Sequence, residues 1–131
     1  MCIFCDIVNN KIPSRKLYED DDFLVIMDAF PKSRGHTLIL TKEHYVDFDD
    51  MSEELASKLI VLVHKMVKKL KVLGMDGYNI INNNQPISGQ EVPHVHFHIV
   101  PRYNDEKKPV ISISEPIEMD LDEIHELLTK N

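Results

Sequence analysis

The segment His94-Val95-His96-Phe97-His98-Ile99-Val100 alternates imidazole and apolar side chains without a break. A period of two fits a strand, whose successive side chains point to opposite faces. A strand over 94–100 puts Val95, Phe97 and Ile99 on a core face and the three histidines on the other. The apolar face then needs a covering layer, which requires more strands and a helix elsewhere in the chain. The imidazole face needs a different explanation. Three side chains that titrate near neutrality are electrostatically awkward in a row unless a ligand lies against them.

The remaining elements can be read by the same means. Phe4, Ile7 and Val8 keep helical spacing, predicting a short helix over roughly 4–10, stopped by Asn9, Asn10 and Pro13. An acidic turn, Glu19-Asp20-Asp21-Asp22, precedes a strand over 23–27, and a loop over 29–35 containing Pro31 and Gly35 leads to a strand over 36–41. Ser52 is placed to cap a long helix, with Glu53 and Glu54 at its positive end. Leu55, Leu59, Leu62, Met66, Leu70 and Leu73 form its apolar stripe, and Gly74 suits its C-terminal cap. A third strand is predicted over 78–82. A polar loop over 83–93 leads into the histidine strand, which Pro101 is expected to end. Leu121, Ile124, Leu127 and Leu128 predict a final helix after Asp120. The fold class is α+β: a mostly antiparallel sheet, one long helix and short terminal helices.

The chain has 131 residues, enough for one domain over 1–131. Its formal net charge of −7 opposes a broad grip on nucleic acid. No apolar run approaches the roughly eighteen residues of a membrane span. The start, Met1-Cys2-Ile3-Phe4-Cys5-Asp6, lacks the regions of a signal peptide, so a cytoplasmic location is expected. In that setting Cys2-x-x-Cys5 reads as metal-binding or redox rather than as a structural disulfide.

Two chemistries can use the histidine row. Histidines two apart can chelate a metal, as in cupin-like proteins, but no glycine follows Gly89 and the next acids, Asp105 and Glu106, lie beyond Pro101. Nucleophilic catalysis fits better. A neutral imidazole can attack phosphorus when an acceptor holds its second nitrogen, and neighbouring imidazoles can donate to phosphate oxygens as charge develops. The loop Ser88-Gly89-Gln90-Glu91 adds backbone amides and the Gln90 side chain beside the strand's start.

These residues resemble the histidine-triad motif, His-x-His-x-His followed by two apolar residues. Ile3-Phe4, Lys11-Ile12-Pro13, Asp28, Gly35-His36, Lys42-Glu43-His44, Gly77-Tyr78 and Gly89-Gln90 fall in order where the Hint branch of that superfamily and its bacterial relatives have similar residues. The motif-bearing part is about 1–103. The tail over 104–131 is poorly anchored by the resemblance.

The resemblance implies a nucleotide-binding hydrolase or transferase. His96 would attack the α-phosphorus of a nucleoside phosphoramidate or related nucleotidyl conjugate, giving a nucleotidyl-histidine that water resolves to a purine nucleoside monophosphate. His98 and His36 would contact phosphate or orient the nucleophile, and Gln90 would bind the phosphate or leaving-group side. Asp28 would accept from the ribose hydroxyls and Asn83 would lie on the ribose and phosphate side, with Asn82 and Asn84 adjoining it. Ile3, Phe4, Ile7 and Leu38 would form the base pocket, with Gly89 and the backbone of Glu91 near the phosphate. Bacterial relatives with the cysteine pair imply a structural zinc on Cys2, Cys5, His44 and His94. A homodimer through the long helix and a central strand is also implied. The family's dinucleoside polyphosphate hydrolases and a non-catalytic nucleotide-binding regulator stand as alternatives. Glu91 stands where a serine is common, and the chain has no tryptophan, so its tail lacks the ending of the eukaryotic proteins. His64 and His125 are expected to be incidental.

Overall fold

The computed structural model describes residues 2–107, 109–111 and 114–130. Helix α1 (Ile3–Val8) is followed by strands β1 (Lys16–Glu19), β2 (Phe23–Met27) and β3 (Thr37–Thr41). Helix α2 (Glu53–Leu70), strands β4 (Gly77–Ile81) and β5 (His96–Arg102), and helix α3 (Leu121–Thr129) complete the order. The strands form one antiparallel sheet in the order β1-β2-β3-β5-β4. Among the described residues no helix is long and apolar enough to cross a membrane.

Alternation sorts the sheet into two buried faces. Phe23, Val25, Ile39, Phe97 and Ile99 pack with Val95 against the α2 residues Leu59, Leu62, Val63, Met66, Val67 and Leu70. Leu24, Ile26, Leu38 and Leu40 meet Phe4 and Ile7 of α1 on the opposite face. Both faces of β2 and β3 are therefore covered, and their apolar runs are nearly continuous. In register, Leu40 lies opposite His96 and Leu38 opposite His98. The histidines therefore occupy the α1 face, next to an apolar floor.

The long helix begins as the sequence predicts. Ser52 accepts from the Leu55 N–H, and a last 3-10 turn over Lys71–Leu73 ends at Gly74 in the left-handed region. The structure corrects three details. The histidine strand runs 96–102 rather than 94–100, because the chain still turns at His94. Pro101 does not end it but lies inside it, opposite Tyr78. Strand β3 stops opposite Ile99, so Pro101 sits where the ladder is one-sided and a missing donor is tolerated. Strand β1 was not expected: its four mostly exposed residues carry no apolar alternation and pair along the sheet edge with β2. Helix α3 forms over the predicted stripe, with Leu121, Leu127 and Leu128 exposed.

Gly35 turns the chain from the 29–35 loop into β3 at a φ of +92°. A Cβ there would lie 2.4 Å from the Leu73 side-chain tip and 3.3 Å from Pro101. Leucine can swing away, but the backbone cannot relax without moving His36. Gly35→Ala is therefore expected to cost about 1–3 kcal/mol of stability, read as a lower denaturant midpoint. An unchanged midpoint contradicts this account of the turn.

Candidate functional site

The strand ladder brings His96 and His98 side by side, ring centroids 5.0 Å apart. His36, at the entry to β3, reaches across the sheet, with its Nε2 2.9 Å from His98 Nδ1. Asp28, at the exit of β2, places a carboxylate oxygen 3.5 Å from the same Nε2. Its other oxygen accepts from the Phe30 N–H at 2.8 Å. Four residues, two on β5 and one each beside β2 and β3, thus converge.

The protonation of His96 follows from its partner. Nδ1 lies 2.7 Å from the His94 carbonyl oxygen. A carbonyl can only accept, so Nδ1 carries the proton and Nε2 keeps its lone pair. The ring is buried, and Phe4 stands edge-on to it with centroids 4.8 Å apart. Burial pushes the His96 pKa below the ordinary imidazole value. The arrangement presents a neutral imidazole with a free nitrogen, the form a nucleophile requires.

Burial, then the neighbouring His96 and His36, pushes His98 down to about 4. Burial also lowers His36 and His94. All four rings are favoured as neutral in the fold, while an unfolded chain protonates them near pH 6.5. Depressed folded values mean that stability is present above about pH 6.5 and is lost as the pH falls toward the folded values. The melting temperature of chelator-treated protein should therefore drop between about pH 6.5 and about pH 5, above the carboxylate range. A flat melting temperature across that window contradicts the assignment of neutral rings.

The loop before β5 is held from outside the site. Gln90 is buried; its Nε2 donates to the Val46 carbonyl at 2.7 Å, and its Oε1 accepts from the Gln85 N–H at 3.1 Å. Gln85 itself stands at φ 72°, ψ 152°, a conformation natural to glycine. Gly89, at φ +97°, faces the Asn83 side chain, and Glu91 is exposed. Asn82 donates to the His96 carbonyl at 3.0 Å, and Asn84 links Asn82 to the Phe48 N–H. In this asparagine run it is Asn82 and Asn84, rather than the expected Asn83, that brace the strand. Phe4, Ile7 and Leu38 lie together in one apolar cluster, whereas Ile3 is half exposed.

Cys2, Cys5, His44 and His94 form a second cluster, with ligand atoms all within 4.8 Å of one another. Cys2 Sγ lies 3.3 Å from His94 Nδ1, and Cys5 Sγ lies 3.2 Å from His44 Nδ1. His94 is fully buried, and its Nε2 lies 2.7 Å from the Thr41 carbonyl oxygen. That nitrogen must donate, which leaves the Nδ1 lone pair pointing at the sulfurs. Two thiols and two imidazoles oriented this way can hold a metal ion. Thr41 had no signal in the sequence, because it acts through its main chain. His64 and His125 are exposed and join neither cluster.

The HIT-domain family model matches residues 9–105. An uncharacterized HIT-like protein of Methanocaldococcus jannaschii is 48% identical over 124 residues, covering 95% of each chain. The adenosine 5'-monophosphoramidase of Schizosaccharomyces pombe is 42% identical over 105 residues, covering 80% of this chain and 77% of its own. Among solved structures, a hypothetical protein from Leishmania major superposes with a TM-score of 0.87 at 37% identity, covering 98% of this chain and 92% of that one. The neutral, strand-borne histidine row and these likenesses agree, and the chain belongs to the HIT-domain family.

Proposed function

We propose that the protein hydrolyses purine nucleoside phosphoramidates or related nucleotidyl conjugates through a covalent nucleotidyl-histidine. The observation that carries the reading is the His96 ring, held by the His94 carbonyl with Nε2 free. In the first step Nε2 bonds to the α-phosphorus, the phosphorus–nitrogen bond to the leaving group breaks, and the departing amine takes up a proton from solvent. Water then attacks phosphorus and gives up one proton to solvent, the bond to Nε2 breaks and its electron pair returns to the ring, and the nucleoside monophosphate leaves.

His98 and His36 serve the phosphate side. The Asp28 oxygen not used by Phe30 accepts from ribose, and Asn83 serves the ribose and phosphate side. Ile3, Phe4, Ile7 and Leu38 take the base, and the Gly89–Gln90–Glu91 backbone faces the phosphate. Gln90 acts chiefly by holding that loop, since both ends of its amide already have backbone partners. A relative named for adenosine 5'-monophosphoramidase activity supports this substrate class. Zinc is the metal proposed for Cys2, Cys5, His44 and His94. A tetrahedral zinc places neighbouring sulfur and nitrogen ligands about 3.5 Å apart, which matches their spacing. A homodimer through the long helix and a central strand completes the reading.

The test compares hydrolysis of adenosine 5'-phosphoramidate with that of diadenosine polyphosphates, and looks for a mass increment on His96 after acid-free quenching. Preferential phosphoramidate turnover with an adduct on His96 is expected. Preferential polyphosphate cleavage would move the assignment to the other hydrolase class, and binding without turnover would make the protein a nucleotide-binding regulator.

A further inference from the structure

The loop joining β2 to β3 is tied at several points. The Phe30 N–H donates to Asp28, the His36 N–H to the Ser33 carbonyl, and the Asp28 N–H to the His36 carbonyl. From the far side, the Tyr103 hydroxyl donates to the Arg34 carbonyl at 2.8 Å. The bracing delivers one unusual contact: the backbone N–H of Lys32 donates to His36 Nδ1 at 3.0 Å.

A main-chain amide can only donate, so its partner nitrogen cannot carry a proton. The neutral His36 proton is therefore on Nε2, which faces His98 Nδ1 at 2.9 Å and has Asp28 as a second acceptor at 3.5 Å. His98 Nδ1 must then accept, and its own proton is on Nε2. Reversing the chain would set two N–H groups head to head at Lys32 and leave a buried donor without a partner. The same logic explains why Asp28, His36 and His98 suit a metal poorly although their ligand atoms also lie within 4.8 Å of one another. Binding through His36 Nε2 would require the lone pair that the Lys32 contact has moved to Nδ1.

We propose that the Lys32 backbone N–H is a tautomer lock, a positioning group that acts through His36 to make His98 Nε2 a fixed donor. The inference rests on the proposed phosphoryl-transfer reading for its consequence. The substrate atom opposite His98 must be an acceptor, an anionic phosphoryl oxygen. His98 cannot take a proton at that atom and so does not act there as a base. Its depressed pKa keeps it neutral at ordinary pH, consistent with a donor that does not ionise.

The test uses the full chain with nitrogen-15-labelled histidine, comparing Lys32→Pro, which removes this N–H together with the lysine side chain and fixes φ, with Lys32→Ala, which removes the side chain beyond Cβ and keeps the N–H. In the parent protein the Nδ1 atoms of His36 and His98 should give the shifts of unprotonated nitrogen. Lys32→Pro should mix the tautomers and lower kcat/KM by about tenfold or more relative to Lys32→Ala. A protonated Nδ1 on either ring in the parent protein overturns the proposal, as does a folded Lys32→Pro variant with unchanged tautomers. Should the proline variant not fold, the parent spectrum decides alone. The predicted tautomers in a protein without phosphoramidate turnover would remove the proposed function and leave the lock. Turnover with a protonated Nδ1 would do the reverse.

Discussion

Replacing His96 by asparagine is expected to lower turnover of adenosine 5'-phosphoramidate by about a thousandfold or more, with AMP still bound. Asparagine is the informative substitution. Its amide can donate to the His94 carbonyl near the position of Nδ1, where the native contact is 2.7 Å. It offers no nucleophile near the position of Nε2. Alanine would remove the nucleophile too, but it would also leave a cavity beneath Phe4, whose ring sits 4.8 Å from that of His96. A loss shared by both variants, with the asparagine protein melting close to the parent, isolates the chemistry. His98→Asn should do less, about a hundredfold, because it deletes one donor to developing charge and leaves the nucleophile in place. Retention of more than about a tenth of parent turnover by His96→Asn would exclude covalent catalysis at this residue.

The fold was readable wherever side-chain alternation and burial agree. Val95, Phe97 and Ile99 announce a covered sheet face, and the leucine stripe from Leu55 to Leu73 announces the helix that covers it. Strand β1 escaped because Lys16-Leu17-Tyr18-Glu19 pairs along one edge and buries little, so main-chain bonds rather than composition define it. Pro101 misled for a related reason. A proline ends a strand only where its missing donor matters, and whether it matters depends on where β3 stops. At the candidate site, the histidine row and the two cysteines were visible because imidazole and thiol are scarce and chemically distinct, whereas Asp28, one of 22 acidic residues, and His36 stood out only through the family resemblance. Their orienting partners were not. The carbonyls of His94, Thr41 and Val46 and the N–H of Lys32 belong to the backbone, which every residue shares, and only the fold reveals which of them face a ring. Gln90 shows the same limit from the other side, since its side chain is legible but its attachment to Val46 and Gln85 is not.

Metal removal should be the largest perturbation of stability. Purified protein is expected to carry about one equivalent of zinc, and Cys5→Ser should lose it. At free zinc about a thousandfold above Kd, linkage contributes about 4 kcal/mol, so chelation should lower the melting temperature by on the order of 10 °C. The sensitivity follows from how little else holds α1. A six-residue helix is too short to persist alone, and it is attached by Phe4, Ile7 and the two cysteines at its start. Burial and the neighbouring Cys2 push the Cys5 thiol up, so its thiolate is favoured by a cation beside it, and zinc uptake should release protons. The effect should also reach the candidate nucleophile. Phe4 stands edge-on to His94 at 5.9 Å and to His96 at 4.8 Å, and the His94 carbonyl sets the His96 tautomer. Loss of the ion should therefore loosen the ring and the carbonyl that orient His96, lowering kcat although no ligand enters the chemistry. Cys5→Ser protein that retains a full equivalent of zinc defeats the four-ligand assignment. Zinc-free protein with unchanged melting temperature and turnover defeats the coupling of the metal to α1.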